Sequence, residues 1–338
     1  MSTMTSYPIV SIICPTYNEE QYISKCVSSI LQQDYPGDKL EILFVDGLSS
    51  DATRDIILSA AKKHTYIRLI DNPYRHVPYA LNIGIEHAVG EIIVRIDAHA
   101  SFPTNYVSTL VHYLRTLPEA QNVGAPCVTK TLGDTNQAKA IVAVLSNKFG
   151  VGNSTFRLGV EETQTVDTVP FGCWKKETLR QVGMFDTRLT RNQDIELNKR
   201  ILKSGGKIYL VPDTYCTYYA RETFKNLAKN NFNNGKWNIL TIYYTKEIAS
   251  LSIRHFIPLL FFLSLSLPML GMIVSPYFGI LSALSLFCYC ILISVVSWQI
   301  KKQQDITFLS LIIAFITLHL SYGLGSLIGI LSLPFIKK

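Results

Sequence analysis

The amino-acid sequence predicts an α/β domain, with a mostly parallel sheet and helices on both faces, followed by an all-α transmembrane region. From residue 9 to residue 99, short β-branched apolar runs alternate with segments in which apolar residues recur at helical spacing. This alternation is typical of parallel sheets that carry helices on both faces. After Leu251, long apolar runs are separated only by short polar or Gly/Pro stretches, as in membrane-spanning helices. We therefore expect the 338-residue chain to contain two unlike parts.

The first part is predicted to gather polar side chains along one edge of its sheet. Strands are expected at residues 9–14, 40–45, 67–70 and 92–96, and helices follow the first two strands and recur at 79–89 and 194–204. Asn18, Asp46 and Asp97 each follow one of these strands. Because open α/β sheets bind ligands at the carboxyl ends of their strands, we expect a ligand site at this edge.

The second part is predicted to cross a membrane three times, at residues 256–274, 277–298 and 306–331. Arg254, Lys301 and Lys302 flank these spans, so the positive-inside rule predicts a multi-pass protein of a bacterial inner (plasma) membrane with its N-terminal domain in the cytoplasm. Lys337 and Lys338 conflict with three spans, and a broken or re-entrant third segment is the alternative. We expect a catalytic domain at 1–222, an interfacial helical linker at 223–255 and a membrane domain at 256–338.

Composition excludes several other classes of protein. The net charge of +7 comes from lysines and arginines scattered without an aromatic-interleaved basic face, so we expect no nucleic acid partner. The same charge suits contact with anionic membrane lipids. The seven cysteines include no C-x-x-C pair, which indicates reduced packing residues rather than a disulfide framework or a zinc site. Residues 1–7 are polar and lead directly into the first strand, so no secreted mature domain is expected.

Five motifs give the sequence a specific resemblance. They are PTYNEE at 15–20, VDGLSSD at 45–51, ALNIG at 80–84, GEIIVRIDAH at 90–99 and NQDIEL at 192–197. In this order they resemble the successive motifs of family 2 glycosyltransferases over residues 7–237. Together with the membrane tail, the chain is similar to glycosyltransferases of the succinoglycan exopolysaccharide type. The resemblance implies a GT-A fold, inversion at the anomeric carbon and a nucleotide-sugar donor, with a UDP-sugar expected.

The resemblance also implies which residues bind the donor. The expected donor-binding residues are Thr16, Asn18, Glu19, Asp46, Asn82 and Asp97. Glu19 and Asp46 are expected to accept hydrogen bonds from the ribose and the nucleobase. The alternative for Asp46 is a cap for the following helix, although Asp51 is the better cap candidate.

A divalent metal, Mn²⁺ or Mg²⁺, is the expected cofactor. Asp97 and His99 stand where the family usually has Asp-x-Asp, and alternation along an extended segment would point both side chains the same way. Imidazole is a softer ligand than carboxylate, so this pair favours Mn²⁺ relative to Mg²⁺.

Asp194 is the expected catalytic base, because the family's Glu-Asp pair falls here. Gln193 replaces the glutamate, and the alternative for Asp194 is an N-cap of the following helix. Lys236 and Trp237 partly match the Gln-x-x-Arg-Trp motif of processive synthases, and we interpret them as acceptor contacts. The lone histidine of the third span, His319, is interpreted as a packed or hydrogen-bonded helix residue, with a proton relay as the alternative.

These observations predict transfer of a sugar to a polyprenyl-linked saccharide in exopolysaccharide or cell-surface glycan synthesis. One alternative is transfer to a polyprenyl phosphate itself, as in dolichyl-phosphate-mannose-type synthases, and another is a processive polysaccharide synthase. A non-catalytic membrane scaffold that keeps the fold is the alternative outside enzymes.

Overall fold

The structure, a computed structural model, describes residues 7–248 and 251–336 and divides the chain into two compact units. Unit 1 comprises Met1–Val128 and Thr155–Tyr218, and unit 2 comprises Thr129–Ser154 and Tyr219–Lys338. One boundary between the units falls at Tyr219, and the expected domains at 1–222, 223–255 and 256–338 stay a prediction. The assignment of residues 129–154 to unit 2 was not foreseen.

The chain alternates strands and helices up to Tyr219 and is helical after it. The strands are β1 (Val10–Thr16), β2 (Leu40–Asp46), β3 (Ile67–Asp71), β4 (Ile92–Arg95), β5 (Ala100–Ser101), β6 (Ala120–Gly124), β7 (Cys127–Lys130), β8 (Gln164–Thr165), β9 (Cys173–Lys175), β10 (Lys207–Leu210) and β11 (Cys216–Tyr219). The helices are α1 (Glu20–Leu31), α2 (Thr53–Ala61), α3 (Val77–His87), α4 (Tyr106–Thr116), α5 (Asn136–Leu145), α6 (Lys148–Val151), α7 (Thr155–Leu158), α8 (Lys176–Gln181), α9 (Gln193–Lys203), α10 (Phe224–Thr245), α11 (Ile257–Gly271), α12 (Phe278–Gln303) and α13 (Phe308–Ser332).

An eight-stranded sheet with the order β3-β2-β1-β4-β9-β6-β10-β8 forms the centre of unit 1. Strands β1, β2, β3 and β4 pair in parallel, β6 and β10 do the same, and β9 runs antiparallel between these two groups. A smaller sheet has the order β5-β11-β7. The predicted α/β class with a mostly parallel sheet is therefore confirmed.

Two apolar clusters cover opposite faces of the large sheet. Ile12 of β1 belongs to a cluster with residues of α1, α2 and α4, whereas its neighbour Ile13 belongs to a cluster with residues of α3, α8 and α9. Successive side chains of a strand point to opposite faces, so the near-continuous apolar run of β1 requires helices on both sides. Gly84 of α3 lies against β1 so closely that an added Cβ would be 2.5 Å from Cγ2 of Ile13.

Among its described residues, unit 2 contains three helices that are long and apolar enough to cross a membrane, within Ile253–Gly271, Phe278–Gln303 and Phe308–Phe335. Helices α11 and α12 form a hairpin, in which Ser282 donates a 2.7 Å hydrogen bond to the carbonyl oxygen of Leu265. Helix α13 packs against α10, α11, α12 and α5. The presence of membrane-length helices in this part of the chain is confirmed. Lys337 and Lys338 lie outside the described residues.

Candidate active site

The loops that follow β1 and β2 are joined to each other by hydrogen bonds at the carboxyl edge of the sheet. The amide of Asn18 donates to Ser49 Oγ at 2.8 Å, and Asn18 Oδ1 accepts from the amide of Ser50 at 2.9 Å. Asn18 has a φ of 53°, a left-handed conformation that asparagine tolerates better than most residues. Asp51 accepts from the amides of Glu20 and Thr53, so it serves the beginnings of both α1 and α2, in agreement with its interpretation as a cap.

Asp46 organises these loops from inside the protein. Its side chain is fully buried, and its two oxygens accept four hydrogen bonds, from Thr16 Oγ1 (3.1 Å), Ser49 Oγ (2.6 Å), Ser49 N (2.8 Å) and Arg54 Nη1 (2.8 Å). A carboxylate offers about four lone-pair sites, so these four hydrogen bonds occupy nearly all of the accepting capacity of Asp46. The geometry therefore gives Asp46 and Thr16 a role in fixing the loops that follow β1 and β2, while their contact with a sugar donor stays a prediction.

Sequence reasoning missed a second carboxylate on the same edge. Asp71 ends β3, pairs in register with Asp46, and accepts a 2.9 Å hydrogen bond from Nη1 of Arg54. The Asp71 side chain is 60% exposed, so unlike Asp46 it has oxygen surface free for a ligand. The position of Asp71 directly after the third predicted strand was the available signal.

Arg95 and Asp97 form a buried ion pair at the end of β4. Nε and Nη2 of Arg95 donate to the two oxygens of Asp97 at 2.8 and 3.0 Å, and the side chains are only 7% and 18% exposed. Burial alone would raise the pKa of the Asp97 carboxyl, but the charge of Arg95 and its two hydrogen bonds outweigh burial and hold that pKa below its ordinary value. Asp97 is therefore ionised in the folded protein at neutral pH.

Glu19 and His99 lie at this end of the sheet as well. Nδ1 of His99 is 3.2 Å from Oε1 of Glu19, and the His99 ring packs edge-on against Tyr218 at 5.4 Å between centroids. The premise that Asp97 and His99 share an extended segment is wrong, because residues 98 and 99 form a turn between β4 and β5. The two residues are nevertheless close enough for the charge of His99 to contribute, after burial and Arg95, to the pKa of the Asp97 carboxyl.

Asp97 and His99 fit a divalent cation as a partial set of ligands. Carboxylate oxygen and imidazole nitrogen are ligands of Mn²⁺, and a cation bound with a diphosphate needs only one or two protein carboxylates. Arg95 takes one lone pair of each Asp97 oxygen and leaves others. No group of three or more His, Cys, Asp or Glu side chains that could hold a metal occurs in the described part of the chain. Oxygens of a bound diphosphate would therefore have to complete the coordination.

Asp194 lies in the first turn of α9, as the second residue of the helix. The N-cap is Asn192, in a left-handed conformation, and Asp194 Oδ1 accepts from the adjacent amide of Ile195 at 2.9 Å. The alternative interpretation, that Asp194 is the N-cap of α9, is therefore wrong. The charge of Asp194 helps to keep the pKa of Arg95 above its ordinary value, against the lowering effect of burial. The negative charges of both Asp97 and Asp194 therefore favour the charged form of Arg95, and of the two only Asp97 is seen to hydrogen-bond it among the described contacts.

Five buried side-chain polar atoms have no hydrogen-bond partner among the described residues, and two of them, Nη1 of Arg95 and Oε1 of Gln193, belong to residues that pair with Asp97 or precede Asp194. Buried donors and acceptors are nearly always paired in folded proteins, so unpaired ones are typical of a site that completes its contacts with a ligand. Their position beside Asp97 and Asp194 agrees with a reactive centre here.

Three other predicted site residues lie elsewhere or are engaged differently. Nδ2 of Asn82 donates to the carbonyl oxygen of Phe185 at 2.8 Å, and Oδ1 of Asn82 accepts from the amide of Phe185 at 3.0 Å. The predicted contact of Asn82 with the sugar donor therefore has no support in the geometry. Lys236 and Trp237 belong to unit 2, on α10, where Trp237 stacks on Tyr244 at 6.4 Å between ring centroids. Their role as acceptor contacts stays a prediction.

Comparison with known proteins identifies the family of this chain. Residues 11–164 match the family model described as "Glycosyl transferase family 2". The chain is 32% identical over 233 residues to the dolichyl N-acetyl-alpha-D-glucosaminyl phosphate 3-beta-D-2,3-diacetamido-2,3-dideoxy-beta-D-glucuronosyltransferase of Methanococcus voltae, covering 67% of this chain and 71% of that protein. It is 27% identical over 253 residues to the succinoglycan biosynthesis protein ExoA of Rhizobium meliloti, covering 73% and 74%.

A solved structure shares the fold. The mannosyltransferase PcManGT from Pyrobaculum calidifontis, determined in complex with GDP-Man and Mn²⁺, superposes with a TM-score of 0.56 at 20% identity, covering 93% of this chain and 88% of that chain. The fold of unit 1 is therefore GT-A, the Rossmann-like fold of enzymes that use nucleotide sugars. The chain belongs to glycosyltransferase family 2 and is a glycosyltransferase, and it has C-terminal helices that are long and apolar enough to span a membrane.

Proposed function

We propose that this enzyme transfers a sugar, with inversion, from a nucleotide-sugar donor to a saccharide carried on a polyprenyl-type lipid. The observation that carries the proposal is the carboxylate of Asp97, fixed at the end of β4 by two hydrogen bonds from the buried Arg95, together with the carboxylate of Asp194 in the first turn of α9. Inverting transfer needs one group that holds the donor diphosphate and another that takes the acceptor's proton. Asp97 at the strand end and Asp194 on α9 supply these two groups.

The proton and bond changes follow from this division. A carboxylate oxygen of Asp194 accepts the proton of an acceptor hydroxyl, whose oxygen forms the new bond to the anomeric carbon of the donor sugar. The bond from that carbon to the diphosphate breaks on the opposite face, and the nucleoside diphosphate leaves with the electron pair. Arg95 holds Asp97 in place with two hydrogen bonds and limits its reorientation.

Asp97 and His99 would hold the divalent cation, which supplies charge to offset the developing charge on the departing diphosphate. A UDP-sugar is the donor that we propose. Asn18, Glu19 and Asp71 lie at the edge where its ribose and base would bind, because their side chains retain partial exposure there.

The acceptor part of the proposal is supported by the relatives and by unit 2. The name of the Methanococcus voltae enzyme includes dolichyl N-acetyl-alpha-D-glucosaminyl phosphate, a sugar linked to a lipid through phosphate. The Rhizobium meliloti protein is named for succinoglycan biosynthesis. A membrane region in the same chain raises the encounter rate with a lipid-borne acceptor. Arg254, Lys301 and Lys302 border the apolar helices, so we also propose that the catalytic unit is cytoplasmic.

The test is transfer of radiolabel from a panel of nucleotide sugars into native lipid extract by membranes that contain the full-length enzyme. Mn²⁺, Mg²⁺ or a chelator is added, and the wild type is compared with Asp97→Ala and Asp194→Asn. We expect one donor to label lipid only with metal, and both variants to lose at least about 100-fold in rate, the range of a general base. The exposed acid of α8 gives a matched control, since Glu177→Gln should retain full activity.

Two outcomes would change the proposal. Substantial activity of Asp194→Asn would indicate transfer to a polyprenyl phosphate, because a phosphate oxygen needs no general base. Donor binding without turnover in every lipid extract would favour a non-catalytic scaffold.

A further inference from the structure

Helix α13 differs from the other two apolar helices in how much of it is covered by protein. Only 6% of the α11 span and 11% of the α12 span are buried, compared with 39% of the span that contains α13. From Ala314 to Gly323, no residue of α13 is exposed. The neighbours that cover α13 show whether it can cross a lipid bilayer.

Helix α10 covers the C-terminal half of α13 through contacts between backbones. An added Cβ at Gly235 would be 2.8 Å from the amide of Ser326, and one at Gly325 would be 2.9 Å from Cα of Phe232. The seam continues at Gly329, where an added Cβ would be 2.9 Å from the carbonyl oxygen of Lys236. The two helices therefore run together over several turns.

The composition of α10 is that of a helix in contact with water. It contains six asparagines and three lysines, of which Lys225 and Lys229 are exposed. Lysine at hydrocarbon depth costs at least about 2.5–3.5 kcal/mol. A helix of this kind cannot accompany α13 through the interior of a bilayer.

The N-terminal half of α13 is covered by α5 and α6 and is joined to them by hydrogen bonds. The amide of Thr307 donates to Oδ1 of Asn136 at the start of α5, and Nε2 of His319 donates to the carbonyl oxygen of Phe149 in α6 at 2.8 Å. Nδ1 of His319 then accepts from the hydroxyl of Tyr289, 2.9 Å away, so His319 is a hydrogen-bonded packing residue, as the sequence predicted. Lys148, which precedes Phe149, is exposed. If α13 stood upright, His319 near its middle would place Lys148 close to the bilayer centre.

The uncovered face of α13 is a single apolar stripe. Its exposed residues are all apolar, and they are Leu309, Ile313, Leu324, Ile328, Ile330 and Leu331. At 100° per residue these six positions fall within about 160° of the helix circumference, which is less than half of it. An apolar stripe opposite a face packed against polar elements is the arrangement of a helix that lies at a membrane surface.

We infer that α13 lies along the membrane surface with this stripe in the lipid, and that only α11 and α12 cross the bilayer. The occupant of the stripe is the same bilayer that surrounds α11 and α12, because α13 packs directly on α11 at Gly323. The C-terminus then lies on the same side as Lys301 and Lys302. Trp298, which lies beside both of these lysines, marks the boundary of the hydrocarbon on that side.

Reporter fusions to either end of the full-length chain test the number of crossings. Green fluorescent protein, which fluoresces in the cytoplasm, and alkaline phosphatase, which is active outside, are each fused to the N-terminus and to the C-terminus. We expect both ends to give the same reporter pattern. Opposite patterns at the two ends would show an odd number of crossings and overturn the inference. Neither readout depends on catalysis, so the result is independent of the proposed function.

Depth measurements test the orientation of α13 directly. Nitroxide labels are attached at Ile313→Cys or Ile328→Cys, each 37% exposed, in a chain whose two exposed cysteines, Cys288 and Cys290, are replaced by serine. These sites are separated by about 22 Å along the helix axis. We expect their bilayer depths, from oxygen and nickel-complex accessibility, to agree within about 5 Å, whereas an upright helix would separate them by about 20 Å.

Helix α12 provides the matched control for the depth measurement. Labels at Leu281→Cys and Leu292→Cys, both exposed, should differ in depth by about 16 Å if α12 crosses the bilayer. Equal depths in α12 would overturn its assignment as a crossing helix. A depth difference in α13 as large as that in α12 would overturn the inference for α13.

Discussion

Removal of the guanidinium of Arg95 should destabilise unit 1 through the charge left on Asp97. In Arg95→Met the carboxylate, only 18% exposed, would lose both of its hydrogen bonds from Arg95. Loss of one partner of a buried ion pair costs about 3–5 kcal/mol. The partial exposure of Asp97 places the expected cost near the lower value, about 3 kcal/mol. For a unit of this size, that corresponds to a decrease in Tm of about 6–12 °C.

Tryptophan fluorescence of the full-length protein in detergent can measure this change. Trp174 is buried in unit 1, whereas Trp237 and Trp298 belong to unit 2, so Trp237→Phe with Trp298→Phe leaves a signal from unit 1 alone. The control is Arg95→Met combined with Asp97→Asn, which removes the unpaired charge and should recover at least half of the lost Tm. A single variant that melts within about 2 °C of the wild type, or a double variant no more stable than the single one, would refute the reasoning.

Three further predictions follow from contacts in unit 1. Gly84→Ala should lower the free energy of unfolding by about 1–3 kcal/mol through overpacking against Ile13. Gly37→Ala is the control and should be close to neutral, because nothing lies within 4 Å of a Cβ added at Gly37. Equal denaturation midpoints of the two variants would contradict the overpacking at Gly84. Asp71→Asn should raise the KM for the donor by roughly 10-fold or more, through loss of a charged acceptor, with little change in Tm because Asp71 is 60% exposed; an unchanged KM would exclude donor contact there. The pKa of Asp97 is lower in the folded than in the unfolded chain, so its ionisation stabilises the fold above roughly pH 4 and this contribution is lost as the pH falls further. The Tm of the wild type should therefore fall more steeply between about pH 5 and pH 3 than that of Asp97→Asn, and parallel slopes would count against the ion pair.

The sheet and the site edge were predictable because strand periodicity and strand-end polarity are local properties of the sequence. The run from residue 9 to 14 is apolar on both faces, which requires helices on both sides, and both apolar clusters exist. The same reasoning placed Glu19, Asp97 and His99 at one end of the sheet. It also placed Asp46 there, although that side chain is turned inward to its four donors.

Contacts between distant residues of the chain were not predictable in this way. The motif at 80–84 gave no sign that Asn82 would bind the backbone of Phe185, 103 residues later. The role of Arg95 was also missed, because one basic residue within an apolar strand carries no local signal of its partner. Residues 129–154 resemble any surface insertion in the sequence, and only the folded chain shows that they belong with the C-terminal helices.

The division of unit 2 between two stretches of the chain has a consequence for biosynthesis. Asn136 and Thr307, which bond α5 to the start of α13, are 171 residues apart. At a synthesis rate of about 5–20 residues per second, α5 waits roughly 10–35 seconds for its partner helix. During that delay a chaperone or the membrane surface has to cover the apolar residues of α5, which include Ile141 and Val144. A shortened gene that ends at residue 222 would never provide the partner, so its product should aggregate even if the catalytic unit is intact.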